Sequence, residues 1–279
     1  MEEEQRRLIA DARFRVGVKV WDTSQRLIVL RASTPSNKPT NPWINKALMR
    51  AASLLCDLPS SFTSNMRGNF KTYWFALHRG SQTDPRLSSY YLKHRAVADE
   101  IRMILEGVRQ YCASIFKQEA PMLYGRYAEV ADWIALKTGH RALFYPFASF
   151  AINVGEVCCR RHVDFSNLGP GWCMIVPFGN FDHKRDCRLL VEELGLEFEV
   201  AAGVPIWLPS ATFHHYNSIL VTLGVRFSFA AWTSGSLFQW RDLNGRAVNQ
   251  LTDAERQEYQ ERLVDILKDG VKMFTVRSE

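Results

Sequence analysis

The sequence predicts an α+β fold in which a helical layer leads into a sandwich or jelly roll of short strands. Three observations predict it. From Ser88 to about Lys117 the residues Tyr91, Val97, Ile101, Ile104, Leu105, Val108, Tyr111 and Ile115 recur at steps of three and four, the period of a helix buried on one side. Past Gly139 the helical period gives way to short apolar runs. Turn residues such as Gly155, Gly169-Pro170-Gly171, Gly179-Asn180, Gly195, Gly203 and Gly224 separate those runs.

Taken in order, residues 3–15 read as a short polar helix with Leu8, Ile9 and Ala12 on one face. Val16 to Val20 and Arg26 to Leu30 read as a strand pair around Asp22-Thr23-Ser24. Residues 32–42 carry Pro35, Pro39 and Pro42 and form an extended surface connection. A helix is expected from Trp43 to Asp57, then an irregular, aromatic-rich stretch from Leu58 to Gln82. After the helical run that starts at Ser88, a second helix from Ala120 to Leu136 stops at Thr138-Gly139, where glycine supplies the left-handed cap. Strands are expected at Leu143–Phe147, Phe150–Val154, Trp172–Pro177, Arg188–Glu192, Leu196–Val200, Val204–Leu208, Phe213–Leu220 and Val225–Trp232. A last helix starts at Leu251-Thr252-Asp253-Ala254-Glu255 and runs to about Lys268.

The composition is that of an ordinary globular chain, with 47% hydrophobic and 23% charged residues. No apolar run approaches a membrane span, and the N-terminus lacks the apolar segment of a secretory signal. The six cysteines include no Cys-x-x-Cys pair and read as reduced thiols of a cytosolic or nuclear protein. Residues 1–100 hold 16 Lys and Arg against 9 Asp and Glu, whereas the remainder holds 19 against 20, so the excess of +6 lies ahead of the β-rich half. A basic layer over 1–87 packing on a core of 88–279, with core strands over about 140–245, follows from that division. It reads equally as a phosphate-facing surface and as a solvated one. Arg13, Arg15, Lys19, Arg67, Lys71 and Arg79 are its candidate DNA contacts, though no motif singles them out.

The chemistry lies in Arg161-His162-Val163-Asp164-Phe165-Ser166-Asn167, in His214-His215-Tyr216-Asn217 and in Arg226-Phe227-Ser228. Side chains of an extended strand alternate faces, so His162 and Asp164 share one side. A second imidazole from a distant strand completes two histidines and a carboxylate, the facial triad of non-haem Fe(II). His214 and His215 cannot both face the metal without a bulge, and the spacing to Arg226 admits either. The guanidinium of Arg226 suits the far carboxylate of 2-oxoglutarate in a forked ion pair. Arg160 and Arg161 are candidates for contact with cosubstrate or phosphate, or else exposed strand residues. Cys158-Cys159 read as small core residues because thiolate ligands would select other metals. His78, His94, His140 and His183 lack partners at ligand spacing and read as structural or surface residues.

The ordered set His162-Val163-Asp164-Phe165-Ser166-Asn167, Gly171-Trp172-Cys173, Gly179-Asn180-Phe181-Asp182, Leu208-Pro209-Ser210-Ala211, His215-Tyr216-Asn217, Arg226-Phe227-Ser228-Phe229 and Gly235-Ser236-Leu237-Phe238-Gln239-Trp240 resembles the basidiomycete branch of the TET/JBP dioxygenases. Many genes of that branch travel with large DNA transposons. The similarity spans roughly residues 140–245. It implies a double-stranded β-helix (jelly-roll) oxygenase core with helices on its N-terminal side and one after it. It implies His162, Asp164 and His215 as Fe(II) ligands, and Arg226 and Ser228 as the 2-oxoglutarate site. Asn167 matches a residue that helps hold the flipped base. Where animal relatives carry a base-contacting histidine, this chain has Ser234, which leaves N6-methyladenine as admissible as 5-methylcytosine on that point.

The implied activity is oxidation of the methyl group of a methylated base in double-stranded DNA, above all 5-methylcytosine to 5-hydroxymethylcytosine and beyond. It consumes O2 and 2-oxoglutarate, with ascorbate as reductant. A duplex base must be flipped out to be reached. Trp172, Phe165, Phe213, Tyr216 and Trp232 are candidate walls for it, although burial tendency reads most of them as core. A nuclear monomer without membrane contact is expected. The alternatives are a 2-oxoglutarate oxygenase acting on RNA, protein or a small metabolite, and a catalytically lapsed DNA-binding protein.

Overall fold

The computed structural model describes residues 7–9, 17–34, 40–222 and 224–277. Two sheets face one another. The larger has the order β2-β3-β11-β8-β13-β7-β4, where β2 is Val18–Trp21, β3 Leu27–Arg31, β4 Phe70–Phe75, β7 Ser149–Gly155, β8 Cys173–Asn180, β11 Ile206–Leu208 and β13 Val225–Trp232. The smaller has the order β1-β10-β9-β12, formed by Arg7–Ile9, Leu196–Phe198, Leu189–Val191 and His215–Asn217. All pairings are antiparallel except β1 with β10. Val29, Leu189, Val191, Phe198, Val200, Val204, Ile206 and Leu208 fill the space between the sheets. The jelly roll expected of the chain is thus present, with strands β2, β3 and β4 drawn from the basic first 87 residues. The two remaining short strands, β5 (Leu77–His78) and β6 (Arg86–Leu87), pair with each other.

Period-two alternation decides which side chains reach the cavity. On β13, Phe229 packs outward on Phe144 and Phe150, while Arg226, Ser228 and Ala230 line the space between the sheets. The outer face of the large sheet is covered by the helical layer. Helix α1 is Pro42–Ser53, with proline at its first position. The long helical run from Ser88 is broken into α2 (Ser89–Lys93), α3 (Arg95–Ile104) and α4 (Glu106–Glu119), and α5 is Pro121–Thr138. Gly139 closes α5 at φ 73°, a left-handed conformation that glycine adopts without a side-chain clash. Phe116 of α4 lies fully buried among Tyr124, Tyr127, Phe147 and Trp172, with ring centroids 5.5–5.6 Å away. Phe116→Ala is expected to cost about 3–5 kcal/mol, read as a lower urea midpoint.

Several expectations are corrected. Residues 7–9 form a strand on β10 instead of part of a helix, and the rest of 3–15 lies outside the described residues. The stretch 58–82 is not wholly irregular: β4 closes one edge of the large sheet by pairing with β7. Leu143–Phe147 is a turn, held by Phe144 and Phe147 around Pro146, which has no N–H to give a strand ladder. Helix α6, Gly235–Asp242, was not expected, and Ser234 caps it by accepting from the Ser236 N–H at 3.3 Å. The last helix, α7, is Asp253–Lys272 and starts on a reciprocal cap between Thr252 and Glu255.

Candidate active site

His162 and His215 meet through a two-way backbone bridge, His162 N–H to the His215 carbonyl at 3.2 Å and the reverse at 3.0 Å. His162 therefore extends the smaller sheet by one residue beside β12. The Asp164 N–H donates to the Ser210 carbonyl at 2.8 Å, which turns its carboxylate back toward both rings. Each histidine Nε2 lies 3.8 Å from a different Asp164 oxygen. One ligand atom from each of the three residues lies within 4.8 Å of the others.

The unused ring nitrogens are fixed. His162 Nδ1 lies 2.7 Å from the Arg160 carbonyl and His215 Nδ1 lies 3.0 Å from the Phe213 carbonyl. A carbonyl only accepts, so both Nδ1 atoms carry a proton and each ring turns its Nε2 toward the cluster. Burial, the neighbouring His215 ring and Arg67 push the pKa of His162 down to about 4, which keeps it neutral. His214 points elsewhere, with its Nδ1 2.5 Å from Glu193, so the structure joins His215 and not His214 to the cluster.

A depressed histidine pKa stabilises the fold above the unfolded value near 6.5 and ceases to do so as pH falls toward 4. The metal-free protein is expected to lose thermal stability over that window. His162→Gln should flatten the loss in melts recorded from pH 7 to pH 4.

The inner end of the same cavity holds Arg226 and Ser228. Arg226 is 4% exposed, donates through Nη1 to the Val157 carbonyl, and lies 5.8 Å from the Phe181 ring. It has no carboxylate partner among the described residues, and its buried Nε has no hydrogen-bond partner. A buried cation left unpaired is costly, and the natural compensation is an anionic ligand. Ser228 Oγ accepts from Asn153 Nδ2 at 3.0 Å, and Asn153 Oδ1 accepts from Thr72 Oγ1 at 2.8 Å. Asn65 Nδ2 donates in turn to Thr72 Oγ1 at 3.1 Å. With one of its lone pairs occupied, the Ser228 hydroxyl keeps its proton for a ligand carboxylate.

Residues that the sequence did not assign to the centre also belong to it. Arg67 Nη2 lies 2.5 Å from Asp164 Oδ1, and the Arg67 carbonyl accepts from the Arg160 N–H at 2.7 Å. A Cβ on Gly68 would lie 2.8 Å from the Cys158 carbonyl, so only glycine lets this loop approach so closely. Asn153 is a second such residue, and the only sequence signal for it is a polar side chain interrupting the run Phe150-Ala151-Ile152-Asn153-Val154.

Not every candidate falls at the centre. Tyr216 lines the cavity. Trp172 is core, as expected, and Phe213 packs against it from the partly buried layer. Trp232 stacks on Trp74 with centroids 6.5 Å apart, outside the cavity lining. Asn167 donates to Ser210 Oγ at 3.1 Å and does not line the cavity either. Phe165 is neither core nor wall, because it stands in solvent. Arg161 pairs with Glu192, Lys19 pairs with Glu119, and Arg79 is buried against Ser236 and Gln239, which removes it from the DNA-facing candidates. Cys159 lines the cavity, contrary to its expected place in the core, and Cys158 is half-buried. All six cysteines are free thiols, as expected.

No protein-family model and no curated protein matches the chain. Solved structures do. NgTET1 in complex with 5mC DNA superposes with a TM-score of 0.59 at 12% identity, over 84% of this chain and 80% of that one. The chain has the fold of NgTET1. An oxidoreductase of the 2OG-Fe(II) oxygenase family from Burkholderia pseudomallei matches at 18% identity and a TM-score of 0.39, over 66% of this chain and 77% of that one. A viral collagen prolyl hydroxylase, vCPH from Paramecium Bursaria Chlorella virus-1, matches at 10% identity and a TM-score of 0.37, over 67% and 88%. Within the TET-like fold the chain's own residues fit the cosubstrate set. Two imidazoles and one carboxylate suit Fe(II), and the unpaired Arg226 with a donating Ser228 suits a dicarboxylate such as 2-oxoglutarate.

Proposed function

We propose that the protein is an Fe(II)- and 2-oxoglutarate-dependent dioxygenase that oxidises the methyl group of a methylated base in double-stranded DNA. The observation that carries the reaction class is one cavity holding both parts: the His162, Asp164 and His215 cluster and the unpaired guanidinium of Arg226. The substrate rests on the TET-like fold, on the likeness to a structure holding 5mC DNA, and on the motifs shared with the basidiomycete TET/JBP branch. 5-Methylcytosine is the first substrate. Ser234, spent on capping α6, leaves N6-methyladenine admissible. The protein works in the nucleus.

Iron, O2 and 2-oxoglutarate together supply the oxidant that removes hydrogen from the methyl group, with succinate and CO2 as coproducts. The chain's residues do the rest. His162, Asp164 and His215 would hold the metal. Arg226 and Ser228 fix the far carboxylate of 2-oxoglutarate and so set its direction along the cavity. Ile175, Leu189, Val200, Ile206 and Ala230 give the wall an apolar stretch that limits the water there. Tyr216 stands in the same wall, where it can meet a base that has been flipped out.

The test is mass spectrometry of nucleosides from duplex DNA carrying both 5-methylcytosine and N6-methyladenine. The DNA is incubated with protein, Fe(II), 2-oxoglutarate and ascorbate, with His215→Ala in parallel. Oxidised methylcytosine, or loss of methyladenine, absent in the variant, supports the reading and names the base. Consumption of 2-oxoglutarate with both bases intact would leave the centre standing and sink the substrate.

A further inference from the structure

Two apolar side chains stand nearly free of the protein beside the candidate iron centre: Met66 is 90% exposed and Phe165 is 86% exposed. Each is the second residue of a tight turn. The Gly68 N–H donates to the Asn65 carbonyl at 3.3 Å in one turn, and the Asn167 N–H donates to the Asp164 carbonyl at 2.8 Å in the other. The turns are joined to each other, because Arg67, third in the first, holds Asp164, first in the second, at 2.5 Å.

Both turns are pinned to the body. Asn65 spends its side chain on the Phe70 carbonyl, Thr72 and the Arg67 N–H. The Phe165 turn is held by Asp164 N–H to the Ser210 carbonyl, by Asn167 Nδ2 to Ser210 Oγ, and by Gly235 N–H to the Ser166 carbonyl at 2.9 Å. Scattered exposed apolar residues need no explanation. Two on rigid, mutually bonded turns, one of them next in sequence to a metal ligand, are fixed apolar protrusions at the mouth of the site. The rim beside them is cationic. Arg160 is exposed and makes no ion pair among the described residues, and the Arg67 side chain is half exposed. An apolar protrusion within a cationic rim matches stacked bases within a phosphate backbone.

We infer that Phe165 and Met66 form a two-part wedge that opens a DNA duplex at the target base. Phe165 fills the gap that the extruded base leaves and stacks on its neighbours. Met66, from the joined turn, presses on the flanking step. The Arg67–Asp164 contact fixes the wedge relative to the metal ligand, so the extruded base is delivered at a set distance from the iron. This rests on the methylated-base reading above and adds the device by which the base is reached.

The test compares wild type, Phe165→Ala, Met66→Ala, the double variant and Phe165→Trp on one methylated strand, offered single-stranded and as a duplex. The wedge predicts that Phe165→Ala lowers the ratio of duplex to single-strand kcat/KM about tenfold or more. The double variant should lower it further, and Phe165→Trp should restore it. In parallel, 2-aminopurine next to the target base should brighten when wild type binds the duplex and stay dim with the double variant. A ratio that does not move in any variant overturns the wedge and leaves the methylated-base reading intact, as does wild-type activity confined to single strands. Wild type that leaves the methylated base untouched in both forms, while consuming 2-oxoglutarate, overturns the reading itself and the wedge with it.

Discussion

Arg226→Met is expected to raise the KM for 2-oxoglutarate about a hundredfold, from loss of a forked, charge-assisted pair giving about 3 kcal/mol. The residue sits 4% exposed on β13 with an unpaired Nε and no carboxylate partner among the described residues. Such a group costs the ligand-free fold more than it returns, because a buried charge left unpaired forfeits its hydration. Methionine has similar length and no charge to solvate. The variant without cosubstrate should therefore melt at or above the wild-type temperature while binding 2-oxoglutarate poorly. Steady-state kinetics with 2-oxoglutarate varied, beside thermal melts with and without it, check both halves. A lower melting temperature with an unaltered KM would make Arg226 a structural residue.

Asp164→Ala is expected to abolish turnover and to weaken divalent metal binding by more than about 100-fold, since even the groups that merely support ligands are worth about 10–100-fold. Asp164 is the only carboxylate in the cluster, so its loss leaves two imidazoles and no anionic ligand for a dication. It also leaves the Arg67 guanidinium, 2.5 Å from the lost oxygen, without its partner and near the metal position. Arg67→Ala added to Asp164→Ala is expected to recover part of the lost affinity by removing that repulsion. Calorimetry with Mn(II), which needs no turnover, measures each step of the cycle.

Much of this centre was legible because its signals are local. Arg226 and Ser228 lie two apart on the alternating strand β13, whereas His162 and Asp164, also two apart, sit on a single bridge and the start of a turn instead of the expected strand. The helical layer was legible because Val97 to Ile115 keep a helical period, although the breaks at His94 and Leu105 were not. Arg67 was lost among other basic residues of the first hundred because nothing in its neighbourhood shows that a turn 97 residues upstream reaches Asp164. Strand β4 was hidden for a related reason. Phe70-Lys71-Thr72-Tyr73-Trp74-Phe75 puts aromatic residues on both faces, one set toward the core and Trp74 toward Trp232, which erases a clean alternation. Phe165 reads as core by its type alone, and only the turn that lifts it from the sheet shows otherwise.

The order of the large sheet also sets the course of synthesis. β3, with every residue buried in the finished sheet, pairs with β11, whose Trp207 lies opposite Leu30. β4 at the other edge pairs with β7, which is itself completed by β13. β2 and β3 can pair locally, but β3 meets β11 only across about 175 residues, and contacts this distant in sequence slow folding. A nascent chain must carry the apolar Leu27-Ile28-Val29-Leu30 unpartnered on its β11 side until residue 208 has left the ribosome. A fragment ending before residue 206 is therefore expected to aggregate more readily than the full chain in a light-scattering refolding assay.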